Sequence, residues 1–273
     1  MDEGAAGAAA AVAAADDDDE IHFSTAEGVV ENVVNAPEPS GKFGPMVVLG
    51  LDPGLRNFGY CIAVAESPTA EEIVNTSSTV PVKLYVIAAG VQEFLPSGSL
   101  YSMESLDANA GFMVRSWTHR GLPNKLFENA SVVIEKPYFN PRSPSTNLAH
   151  QLGMITQSVV SYLKYVCGSL VWLQQPGATK NYMRERVPGL TGGAHAQNKL
   201  DVMAWARSTG FIDACGVSRE GRVDNHVADA ALQIAYFADT ITPAAMPRRL
   251  QPKCEWHPRS KLPADTAKKL GLD

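Results

Sequence analysis

The chain has 273 residues, of which 45% are hydrophobic and 19% charged, and its formal net charge is −6. This is an ordinary globular composition, and no apolar run reaches the roughly 20 residues that a membrane-spanning helix needs. The four cysteines, Cys61, Cys167, Cys215 and Cys254, lie far apart in the sequence. That excludes a CxxC metal or redox motif and fits reduced thiols in an intracellular compartment.

The charge is unevenly placed. Residues 1–45 hold ten acids and one base, Lys42, with an Ala-rich run and a Pro/Gly stretch, and little there would fill a core. Such a segment is expected to be a disordered acidic tail. It has neither the basic start of a secretory signal nor the Arg-rich, acid-poor character of a transit peptide, so a soluble, intracellular protein is expected. Residues 243–273 hold seven bases and three acids and read as a basic, Pro-rich, extended tail. The remainder, 46–242, is close to neutral. A nucleic-acid partner would therefore depend on local basic patches, not on total charge.

In chain order, 46–51 is a short aliphatic, β-branched run that predicts a buried strand, and Asp52-Pro53-Gly54 supplies turn chemistry after it. Residues 58–65 and 83–94 predict two more strands, and the three together suggest an antiparallel meander. The polar stretch 66–82 reads as an insertion loop. A helix is expected over 106–118 and a buried strand over 131–135. Residues 147–166 carry apolar side chains at helical spacing, and 170–173 predicts a fifth strand. A Gly/Pro-rich loop at 188–194 precedes two last helices at 197–208 and 225–238. This order predicts an α/β protein with a mixed five-stranded sheet flanked by helices.

Three acids stand out by position. Asp52 ends one apolar strand, Glu135 ends another, and Asp229 sits inside an apolar helix, in His226-Val227-Ala228-Asp229-Ala230. A carboxylate at the edge of a buried element is costly unless it is compensated. Alone, Asp52 is equally explained as a turn cap, Glu135 as a surface acid at a strand end, and Asp229 as a partner of a backbone amide. Together they suggest an oxygen-ligand site for Mg²⁺, which keeps several waters and needs few protein ligands. Two such ions about 4 Å apart serve phosphodiester hydrolysis. His226 shares a helix face with Asp229, whereas Asp224 is placed either as the helix N-cap or as an alternative fourth ligand.

The stretch Val48-Leu49-Gly50-Leu51-Asp52-Pro53-Gly54-Leu55-Arg56-Asn57-Phe58-Gly59-Tyr60 resembles the first strand and turn of the RuvC family of Holliday junction resolvases. Val86–Val91, Val133-Ile134-Glu135 and His226–Ala230 are similar to that family's following strand, second acidic position and C-terminal helix motif. The likeness spans about residues 46–240 in matching order. It implies a ribonuclease-H-like fold and a homodimeric, Mg²⁺- or Mn²⁺-dependent endonuclease for four-way DNA junctions. Two ions per site would be held by Asp52, Glu135, His226 and Asp229. It also implies a catalytic Lys199 near the scissile phosphate, with Lys180 a further DNA-contacting candidate. Tyr138 or Phe139 would stack on unpaired bases, and Arg142, with Lys136, Arg184 and Arg186, would contact phosphates. The helix 147–166 is the candidate dimer face. Two other readings of the same residues are a ribonuclease-H-like nuclease for RNA or hybrid and an actin-like ATP-binding protein. The latter needs two such domains, for which the chain is short.

Overall fold

The computed structural model describes residues 45–54, 56–68, 72, 80–95, 102–119, 121–136, 146–175, 177–193, 195–216, 224–241 and 254–273. The expected acidic tail, residues 1–45, lies outside the described residues except for Pro45, as does most of the loop expected at 66–82.

β1 (Met46–Asp52), β2 (Phe58–Glu66) and β3 (Lys83–Gln92) form the antiparallel meander that the sequence suggests. β4 (Ser131–Glu135) pairs in parallel with β1, and β5 (Leu170–Gln174) in parallel with β4. The sheet order is β5-β4-β1-β2-β3-β6, and only β2 runs antiparallel to its neighbours. This is the mixed α/β sheet expected of a ribonuclease-H-like protein, with one strand more.

The sixth strand corrects two expectations. The sheet has six strands, not five, and the C-terminal stretch is not an extended tail throughout. β6 (Glu255–Pro258) pairs in parallel with β3, Leu84 opposite Trp256. A last helix, Ala264–Leu270, follows. The reason is apolar content that the Pro- and Lys/Arg-rich composition obscured. Trp256, Leu262 and Leu272 are buried, and Trp256 packs edge-on against Phe211 with ring centroids 4.8 Å apart. Thr266 Oγ1 also donates to Glu66 Oε1 at 2.8 Å.

The seven helices among the described residues are α1 (Met103–His119), α2 (Thr146–Tyr165), α3 (Ala178–Arg186), α4 (His195–Ser208), α5 (Phe211–Ala214), α6 (Asn225–Ile241) and α7 (Ala264–Leu270). α1, α2 and α7 cover one face of the sheet, over a core of Leu49, Leu51, Tyr60, Trp117 and Ile155. α3, α4, α5 and α6 cover the other, over Val48, Val133, Trp205 and Ile234. Burial on both faces explains why β1 and β4 are continuous apolar runs without alternation. Each large aliphatic buried there contributes roughly 1.5–3 kcal/mol.

Candidate active site

Asp52 is the last residue of β1, and Glu135 the last of β4. The parallel register Leu51↔Ile134 makes these two carboxylates neighbours at one end of the sheet. Side chains alternate along a strand. Val48 and Val133 point toward α6, so Asp52 and Glu135, even numbers of residues further on, point to that face as well.

α6 crosses directly over these strand ends, and two glycines permit it. A Cβ at Gly50 would lie 1.9 Å from the backbone oxygen of Ala230, and one at Gly59 would lie 2.3 Å from that of His226. Gly59 is also the register partner of Asp52. The helix backbone thus rests on the strands where any side chain would hold it off. His226, Asp229 and Gln233 lie on one helix face at i, i+3 and i+7.

The four residues proposed from sequence come together. His226 Nδ1 lies 2.6 Å from Asp52 Oδ2. That hydrogen bond raises the His226 pKa, partly opposed by burial. Burial raises the Glu135 pKa. Lys180 opposes this, Asp52 adds to it, and the Gly177 backbone N–H donated to the carboxylate counters it. Asp229 is raised most, to about 7, first by burial and then by the negative charges of Asp52 and Glu135, against Lys180 and His226. Glu135 therefore feels Asp52, and Asp229 feels both, as groups sharing one site do.

Asp224 accepts the His226 backbone N–H at Oδ1, 3.3 Å away, and so caps the first turn of α6. Lys199, on α4, is close enough to His226 to lower its proton affinity. Lys180, on the first turn of α3, faces Glu135 and Asp229. Tyr138, Phe139 and Arg142 lie outside the described residues. Arg184 and Arg186 do not stand free for phosphates. Arg184 Nη2 donates to Asn198 Oδ1 at 3.1 Å. Arg186 pairs with buried Asp239 at 2.9 Å and lies over the Tyr182 ring, 3.7 Å from its centroid. Their physical role is to hold α3 against α4 and α6.

Three site features escaped the sequence reading. Gln233 and Gln174, both buried, bond to backbone carbonyls beside the carboxylates. Buried Asp201 accepts from Gly192 N at 2.9 Å and from Gln197 Nε2 at 2.7 Å, which fixes the loop leading into α4 and hence Lys199. A polar residue at an apolar-spaced helix position, as at Gln233, was the available signal.

Among the described residues, no three His, Cys, Asp or Glu side chains stand near enough to form a ready-made metal cage. The donor set nonetheless has the chemistry that a hard divalent cation takes: carboxylate oxygens from Asp52, Glu135 and Asp229, with the charge of Asp52 acting on both of the others. No helix among these residues is long and apolar enough to cross a membrane.

No protein-family model matches the sequence, and no curated protein matches it. Solved structures do. Thermus thermophilus RuvC is 22% identical, the match covering 71% of this chain and 96% of that one, with a TM-score of 0.43. The yeast mitochondrial Holliday junction resolvase Ydc2 is 13% identical over 73% of this chain and 80% of its own, with a TM-score of 0.44. The fowlpox virus Holliday junction resolvase is 14% identical over 72% and 99%, with a TM-score of 0.38. The Thermus and fowlpox proteins have also been solved with Holliday junction DNA. Bacterial, mitochondrial and poxviral Holliday junction resolvases are thus among the solved structures that this chain is similar to, each match covering more than two thirds of its residues.

Proposed function

We propose that the chain is a divalent-metal-dependent endonuclease that resolves four-way DNA junctions. The observation that carries this reading is the convergence of Asp52, Glu135 and Asp229 at one end of the sheet, with His226 hydrogen-bonded to Asp52. Separate elements, β1, β4 and α6, deliver these groups to one place, and a turn cap or a solvated surface acid needs no such convergence. The junction as substrate rests on the sequence motifs that resemble the RuvC family.

In this reading Asp52, Glu135, Asp229 and His226 hold Mg²⁺ or Mn²⁺, two ions per site. Bound there, the metal supplies an activated water and a Lewis acid for the leaving oxygen. The short hydrogen bond fixes the Asp52 carboxylate and the His226 ring against each other. Lys180, which acts on Glu135 and Asp229, and Lys199, which acts on His226, offer point charges to a scissile phosphate. Hydrolysis leaves 5′-phosphate and 3′-hydroxyl ends. A two-fold symmetric junction calls for two matched cuts, which a C₂ homodimer provides.

The test compares a synthetic four-way junction, linear duplex and RNA–DNA hybrid, each with Mg²⁺. Paired symmetric nicks confined to the junction are expected. Asp52→Asn is expected to lower cutting by at least about a hundredfold, in line with losing a group that acts on the transition state, while junction binding persists. Normal cutting by that variant would falsify the assignment, and preferential cutting of the hybrid would redirect it to RNA.

A further inference from the structure

α6 is held to the sheet by two side-chain amides as well as by apolar packing. Gln233 is 2% exposed, and its Nε2 donates to the backbone oxygen of Leu51, the residue before Asp52, at 2.9 Å. Gln174 is 7% exposed and is the register partner of Glu135 on β5. Its Nε2 donates to the backbone oxygen of Gln233 at 3.0 Å. Both acceptors are carbonyls, so each amide nitrogen must be the donor, and the orientation of both side chains follows. The two bonds link the end of β1, the turn of α6 after Asp229, and the residue beside Glu135.

The remaining oxygens, Gln233 Oε1 and Gln174 Oε1, are buried and have no hydrogen-bond partner among the described residues. An unpaired buried oxygen costs about 1–3 kcal/mol, and an apolar side chain of similar size would fill the same space without it. Packing alone does not account for two glutamines here. Directed hydrogen bonds do, and both are directed at the elements that carry the carboxylates.

We propose that Gln233 and Gln174 are positioning residues that set the spacing of Asp229 from Asp52 and Glu135, and with it the affinity of that set for a divalent cation. The cation part rests on the nuclease reading above, whereas the tether is measurable without metal. Groups behind the ligands that fix their orientation typically change metal affinity by 10- to 100-fold when removed.

The experiment uses the full chain with Gln233→Met and, separately, Gln174→Met on the edge strand, which serves if the first variant does not fold. In metal-free protein, amide exchange of residues 226–230 is expected to quicken about tenfold while the β1–β3 amides keep their protection, a local opening and not a global one. Mn²⁺ titration by calorimetry without DNA is expected to need about tenfold more ion at the midpoint. The double variant should add little to either single one, because the two bonds form one network. Wild-type Mn²⁺ binding with unchanged variants overturns the tether alone, and so does a uniform loss of protection across the sheet. A wild-type chain that binds no Mn²⁺ overturns the nuclease reading and the cation consequence together.

Discussion

At Asp229 the folded chain retains a proton that the unfolded chain gives up. Its pKa is raised from 3.8 to about 7, chiefly by burial, so between these values stability falls as pH rises, because the folded state binds more protons than the unfolded one. One pKa unit corresponds to about 1.4 kcal/mol. Asp229 alone therefore costs the metal-free fold up to about 4 kcal/mol at pH 8. Glu135 is shifted the same way. His226 is raised through Asp52, so the stability it adds is present below its ordinary pKa and is lost as pH rises through the folded value. All three groups act in one direction. In EDTA the melting temperature is expected to fall from about pH 5.5 to about pH 8, and Mg²⁺ should restore more of it at the higher pH. A melting temperature that climbs over this range, or a Mg²⁺ effect confined to low pH, would contradict the shared carboxylate site.

The contact of α6 with β1 and β2 decides whether the site exists. Both glycines face helix backbone, and Gly50 is the more demanding position, since a Cβ there would lie 1.9 Å from the Ala230 oxygen, against 2.3 Å between a Cβ at Gly59 and the His226 oxygen. Gly50→Ala is expected to destabilise the fold by about 3 kcal/mol, the upper end of overpacking effects, and to weaken metal binding even where the variant folds. Chemical denaturation and Mn²⁺ titration check both effects. A stable variant with normal affinity would mean that the helix can stand off from the strands. The sequence made much of this architecture legible. Buried strands announce themselves as apolar runs, so β1, β2, β4 and the carboxylates ending β1 and β4 were readable. Helical spacing exposed α6 and put His226 and Asp229 on one face. Gly50 and Gly59 were present in the quoted motif, yet their role depends on which helix lands on them, a long-range fact that no local pattern carries. For the same reason Arg184 and Arg186 looked like free cations: Asn198 and Asp239, their partners, are remote in sequence. α3 was missed because its sequence, Ala178-Thr179-Lys180-Asn181-Tyr182-Met183-Arg184-Glu185-Arg186, has little apolar periodicity.

Across the whole molecule, the C-terminal twenty residues belong to the fold. β6 lies along β3, Trp256 fills a gap beside Phe211, and Leu262 and Leu272 join the core beneath α1. Ending the chain after residue 253 uncovers these apolar contacts, each worth roughly 1.5–3 kcal/mol. The shortened chain is expected to melt at least about 10 °C lower or to be recovered insoluble, given that 1 kcal/mol moves the midpoint of a domain this size by about 2–4 °C. A shortened chain that melts with the full-length one would make the segment dispensable. The order of synthesis gives β6 a second importance. Every residue of the candidate site is translated before it, so a nascent chain can assemble the carboxylates while the β3 border still offers bare N–H and C=O groups to any neighbouring strand. Stalled or clipped products would carry the carboxylate cluster together with an open sheet border, the one that β6 covers along Lys83–Val86 in the full chain.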